Sequence, residues 1–116
     1  VDGAAGAFDG GLTMNVHPLK LVVMVGEAAL EKSLCADVKR LGARGYTVVD
    51  ARGAGRSGER GASWDEDRSI RMEVLCDDAT ATAIMEHVSR SYFEHYAMTV
   101  YLTDIGVLRP DKFGPR

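Results

Sequence analysis

From Lys20 to Thr103 the apolar positions fall into alternating and helical patterns that predict the order βαββαβ. Leu21, Val23 and Val25 alternate with Lys20, Val22 and Met24, which predicts a strand with one strongly apolar face and a second face that is half apolar. Gly26 and Glu27 then read as the opening of a helix. Its stripe is Leu30, Leu34, Val38 and Leu41 at i, i+4, i+8 and i+11. Glu27 and Glu31 suit its positive end and Lys39 and Arg40 its negative end, and Gly42 is a stop signal. A second strand is expected over Tyr46 to Arg52, where β-branched and aromatic residues follow the breaker Gly45. Ser69 to Leu75 alternates Ile70, Met72 and Val74 against Arg71 and Glu73, a half-buried third strand. Asp77, Asp78 and Thr80 offer N-cap chemistry to a second helix with Ala81, Ile84, Met85, Val88 and Tyr92 on its apolar face. The last strand, Met98 to Thr103, sets Met98, Val100 and Leu102 opposite Thr99, Tyr101 and Thr103.

Two right-handed crossovers joined by a hairpin give an α+β, ferredoxin-like fold: a four-stranded antiparallel sheet with both helices on one face. On this alternation the open face carries Val22, Met24, Val49 and Tyr101 among Lys20, Thr47, Arg71, Glu73 and Thr99. That is too apolar for water and too polar for a dry core, so self-association over this face is expected.

Composition narrows the class. At 116 residues and 46% apolar content the chain reads as one domain able to bury a core without disulfides or metal. A net charge of −3 with interspersed signs argues against a general nucleic-acid surface. Cys35 and Cys76 lie in apolar patterns and read as reduced, buried thiols, and their spacing is no metal motif. With no apolar run of spanning length and no signal-like start, the expectation is a cytoplasmic protein without direct membrane insertion. Residues 1–17 are rich in Gly and Ala, without periodicity. They read as a disordered extension or expression remnant ahead of a domain over 18–116, with Met14 as the natural start.

The chemistry concentrates in Gly45 to Arg60, GYTVVDARGAGRSGER. It leaves a strand and turns into Gly53, Gly55, Gly58 and Gly61 alternating with Arg56 and Arg60. Glycines let the backbone bend closely round a ligand, and guanidinium groups within reach suit an anion. The competing reading is a mobile surface loop. The spacing of a mononucleotide P-loop is absent, and no helix pattern follows to point its N-terminus at a phosphate. The run continues as a loop to about Arg68, long for a compact domain.

The segment GYTVVDARGAGR, the strand RMEVL and the tail VLRPDKFG together resemble the PII signalling proteins, and within them the PII-like branch associated with inorganic carbon uptake and carboxysomes. The resemblance runs from Leu19 to Phe113. It implies a homotrimer with an adenine nucleotide in each inter-subunit cleft, and a long T-loop, about residues 53–68, that carries the signal to a partner. Carried over by position, Gly53, Ala54, Gly55 and Arg56 would hold phosphates at the loop base. Thr47 and Leu75 would lie beside the adenine and ribose of a neighbour's site, Met98 would line the pocket, and Arg109 would close over it. Ser57, Gly58 and Arg60 are the candidates for bicarbonate beside the nucleotide. The implied ligands are ADP, AMP or cyclic AMP, with no resident cofactor or metal. The implied target is a bicarbonate transporter or a carboxysome-associated protein.

Departures from the nitrogen-sensing members favour the carbon branch. Before the last strand, SRSYFEHYAM has neither the glycines nor the lysine with which those members grip the outer phosphates of ATP, and the loop has no tyrosine for covalent modification. A nitrogen-type regulator binding ATP or ADP is the nearest alternative. His17, His87 and His95 form no i, i+4 pair and no acidic partner is placed with them, so no metal site is expected; Glu86, His87, Glu94 and His95 read as decorating the outer side of the second helix and its exit. A small phosphate-ester or acyl-phosphate hydrolase, with Arg56 on the phosphate, would need a nucleophile that the spacing does not supply, so a binding module rather than an enzyme is expected. An RNA-binding module of the same element order would carry exposed aromatics on its third strand, and Ser69 to Leu75 has none.

Overall fold

The computed structural model describes residues 15–55, 58–60 and 68–109. The elements are β1 (His17–Glu27), a 3₁₀ turn (Ala28–Leu30), α1 (Glu31–Arg40), β2 (Thr47–Ala51), β3 (Gly53–Gly55), β4 (Gly58–Arg60), β5 (Ser69–Cys76), α2 (Asp78–Tyr92) and β6 (Thr99–Val107). The main sheet is antiparallel in the order β2-β5-β1-β6, the ferredoxin-like arrangement expected from the pattern.

Several features differ from expectation: β6 runs on past Thr103 to Val107, which pairs with His17 at the start of β1, so His17 belongs to the sheet and not to the extension ahead of it. β1 runs on through Gly26 and Glu27, which pair with Ile70 and Ser69 instead of opening a helix. The reason is tertiary. A Cβ on Gly26 would come within 3.1 Å of Met98 Cγ, so the glycine lets that side chain lie against the strand. The helix starts only after the 3₁₀ turn, where the Ala28 N–H donates to the Arg68 carbonyl at 2.9 Å. A further difference is a ladder inside the long loop, where Gly53 pairs with Arg60, Ala54 with Glu59 and Gly55 with Gly58.

Register settles which residues share a face. Val22 opposes Val74 and Met24 opposes Met72 and Val100, and all but the partly buried Val100 lie in the core beneath Leu34, Val38, Ala81, Ile84 and Val88 of the helices. Val22, Met24 and Lys20 therefore belong to the helix side, which corrects their expected place on the open face. That face instead carries Leu21, Val23 and Val25 with Thr47, Val49, Arg71, Glu73, Leu75, Thr99 and Tyr101. Val23, between Glu73 and Tyr101, is fully buried, while Val49 and Tyr101 are 48% and 42% exposed.

Candidate functional site

The neck of the long hairpin forms at one end of the sheet. β2 ends at Ala51 opposite Ser69, the first residue of β5, and Ser69 also pairs with Glu27 at the end of β1. Beyond this point the chain continues through Arg52 into the glycine ladder of β3 and β4. Asp50, Ala51, Arg52, Arg68 and Ser69 line a cleft of about 310 Å³ there. Arg68 Nη2 donates to Asp50 Oδ1 at 3.4 Å across the neck. The cleft is thus a concave, wet site with two guanidinium groups and one carboxylate, the donor set of a phosphate or carboxylate site.

Gly53, Ala54 and Gly55 form β3 at this cleft, and Gly58 and Arg60 belong to the facing strand β4. Arg56 and Ser57, and the acidic stretch at 65–67, lie outside the described residues. Met98 lies at the same end of the sheet, packed over Gly26 and partly buried against the core. Thr47 and Leu75 are elsewhere, on the open face, where Thr47 opposes Glu73 and Leu75 opposes Leu21. Arg109 is exposed and follows β6, whose last residue, Val107, pairs with His17 at the start of β1. The other end of that ladder is Val25 opposite Thr99. Eight steps at about 3.3 Å put roughly 26 Å between the two ends. One chain therefore keeps Gly53, Ala54 and Gly55 together in β3, has Met98 at the same end of the sheet over Gly26, and sets Thr47 and Leu75 on the open face and Arg109 beyond the far end of β6.

Sequence reasoning passed over Asp50 and took Arg68 only as the end of the long loop. Asp50 precedes the glycine run by three residues, and a carboxylate beside two arginines is a signal of a tuned anion site. Histidine placement also needs correction. His87 does have an acidic partner: its Nε2–H donates to Asp37 Oδ2 at 2.9 Å, and Tyr92 Oη–H donates to the same oxygen at 2.6 Å. Both side chains are largely buried between the helices, so His87 does not decorate the outer side of α2. Among the described residues no group of three or more His, Cys, Asp or Glu could hold a metal ion, and no helix is long and apolar enough to cross a membrane.

The family model described as nitrogen regulatory protein P-II matches residues 19–112. The chain belongs to the P-II family. Among solved structures, it is similar to a PII-like signalling protein of Thermus thermophilus, with a TM-score of 0.75 and 43% identity over 86% of this chain and 99% of that one. It is also similar to CPII of Thiomonas intermedia K12, a PII-like protein bound to ADP, AMP and bicarbonate, with a TM-score of 0.79 and 25% identity over 88% and 99% of the two chains. A second structure of that protein, bound to ADP and bicarbonate, matches with a TM-score of 0.78 at 26% identity over 87% and 99%. The expected resemblance to PII-like proteins is thereby borne out, with the fold that goes with it.

Proposed function

We propose that this P-II family member is a signalling protein that binds ADP or AMP, with bicarbonate beside it, in clefts between the subunits of a homotrimer, and reports occupancy through its T-loop to a partner in inorganic carbon uptake. The observation that carries the reading is the separation of the candidate residues within one chain: Gly53 to Gly55 beyond the hairpin neck, Thr47 and Leu75 on the open face at mid-sheet, and Arg109 beyond the far end of β6. Gly53 to Gly55, Arg52, Arg68 and Met98 supply a phosphate half. Thr47, Leu75 and Arg109 supply a nucleoside half from a neighbouring chain. The ligands seen with CPII are of the size and charge that such a composite cleft takes. Bicarbonate, a small oxyanion, suits the backbone N–H groups of the glycine ladder, with Ser57 and Arg60 as further donors.

Gly53 gives the reading a test of its own. A Cβ added there would meet nothing within 4 Å, and its φ is not positive, so the free chain has no need of glycine at this position. A phosphate approaching the backbone would supply the need. Gly53→Ala should keep the unfolding midpoint of the parent and weaken ADP binding about tenfold, the equivalent of one charge-assisted hydrogen bond. The deciding experiment is calorimetric titration of AMP, ADP, ATP and cyclic AMP, each with and without bicarbonate at fixed pH and ionic strength. Tighter binding of ADP or AMP in bicarbonate is expected. Binding of none of the four in either condition would remove the proposed function.

A further inference from the structure

We infer that Asp50 makes the neck cleft selective for bicarbonate over oxyanions that lack a hydroxyl group, by accepting the proton that the ligand brings. The inference rests on the proposed function and names the group that recognises the small anion. Asp50 opposes the buried Ile70 in the ladder of β2 and β5. Arg52 lies two residues beyond Asp50 and Arg68 two residues before Ile70, so continuing the strand alternation sets all three on one side. They line the same cleft of about 310 Å³. Arg68 Nη2 donates to Asp50 Oδ1 at 3.4 Å, which orients the carboxylate and leaves the lone pairs of Oδ2 for another donor. Arg52 is exposed and brings a second guanidinium to the cleft.

A carboxylate in an anion cleft is unfavourable for most ligands. It repels every anion, and one without a proton, such as nitrate or formate, makes no bond to it that offsets the repulsion. Bicarbonate differs. Two of its oxygens share the negative charge and match a guanidinium fork, and its third carries an O–H that needs an acceptor. Arg52 holds the charged edge while Asp50 Oδ2 accepts the hydroxyl, and Arg68 stays on Asp50 throughout and offsets part of its charge. A site built to pair a ligand hydroxyl rejects the analogue that lacks it, because the acceptor is then left unpaired. The Asp50 and Arg68 side chains are 79% and 44% exposed in the free chain, so discrimination develops as nucleotide and anion displace water from the cleft.

The test is calorimetric titration of ADP into the full-length parent, Asp50→Ala and Arg52→Gln proteins, with bicarbonate, formate or nitrate as the added anion at one pH and ionic strength. In the parent, bicarbonate should tighten ADP binding about fivefold more than formate or nitrate does, the worth of one hydrogen bond. Asp50→Ala should abolish that preference, so that all three anions act alike. Arg52→Gln should weaken the effect of every anion and keep their order. Asp50 and Arg52 are both exposed, so unchanged unfolding midpoints are expected and would confirm intact folds. A parent that binds ADP equally well in bicarbonate and formate, or an Asp50→Ala protein that keeps the parental preference, would overturn this inference alone. Failure of the parent to bind any nucleotide would overturn it together with the proposed function.

Discussion

At the scale of single residues, Asp37 gathers three side-chain donors, and it belongs to the fold, not to the cleft. Its carboxylate accepts hydrogen bonds from Tyr92, His87 and Arg40 at 2.6, 2.9 and 3.3 Å. Burial pushes its pKa up, and the donors, Tyr92 foremost and then His87 and Arg40, outweigh burial and hold it below the usual carboxylate range. Burial, and then the contact with Asp37, pushes the Tyr92 phenol up to about 12. A depressed carboxyl contributes stability that is whole above its unfolded pKa, about 3.9, and is lost as the pH falls below that through the folded value. Asp37→Asn should therefore cost about 1–2 kcal/mol in urea unfolding at pH 7. The deficit should shrink as titration proceeds below about pH 4, and a parent and variant that differ equally at pH 7 and pH 3 would contradict the assignment. Nothing in the sequence joined residues fifty positions apart. The available clue was that Asp37 follows the buried Leu34 by three positions and His87 likewise follows Ile84, which puts each on the flank of a buried stripe.

At the scale of elements, ends with local chemistry were legible and ends decided by distant contacts were not. Gly42 follows α1 with φ 117°, the left-handed region, as its reading as a stop requires. The Asp77 carboxylate accepts the Thr80 N–H at 2.8 Å and caps α2. Both signals lie within a few residues of the boundary they mark. The far end of β1 depends on Met98, seventy-two residues away, and no local signal reports it. The faces of β1 were ambiguous for a related reason: in LKLVVMVG apolar residues stand on both sides, so alternation cannot say which side meets the helices. Gly42 permits a direct test. A Cβ there would be strained by the positive φ and would lie 3.2 Å from Thr80 Oγ1. Gly42→Ala should destabilise by about 1–2 kcal/mol, with nucleotide binding unchanged at temperatures where the fold persists. A variant as stable as the parent in chemical denaturation would show that the helix end is not held in this conformation.

At the scale of the whole molecule, the sheet's open face and the divided candidate site make one argument. The sequence pattern placed Val49, Tyr101, Thr47, Arg71, Glu73 and Thr99 on that face, as the register does, so the prediction of self-association survives the correction of Lys20, Val22 and Met24. Which site residues lie too far apart to serve one ligand was not legible, because a linear motif carries no distances. If a nucleotide needs the glycine neck of one subunit and Thr47, Leu75 and Arg109 of another, assembly and binding must fail together. Val49 is the position at which to break them. It is half exposed on the edge strand β2, opposite Arg71, so a charge there can be solvated in the free chain and is desolvated only across an interface. Val49→Glu should reduce the mass measured by light scattering from three chains to one at micromolar concentration, with the far-ultraviolet dichroism of the parent. The same preparation should lose ADP binding by at least about 100-fold, the effect of removing roughly 3 kcal/mol of contacts, although every group at the glycine neck is intact. A monomer that still bound ADP with parental affinity would place the whole nucleotide site within one chain. A trimer that persisted would move the interface off this face of the sheet.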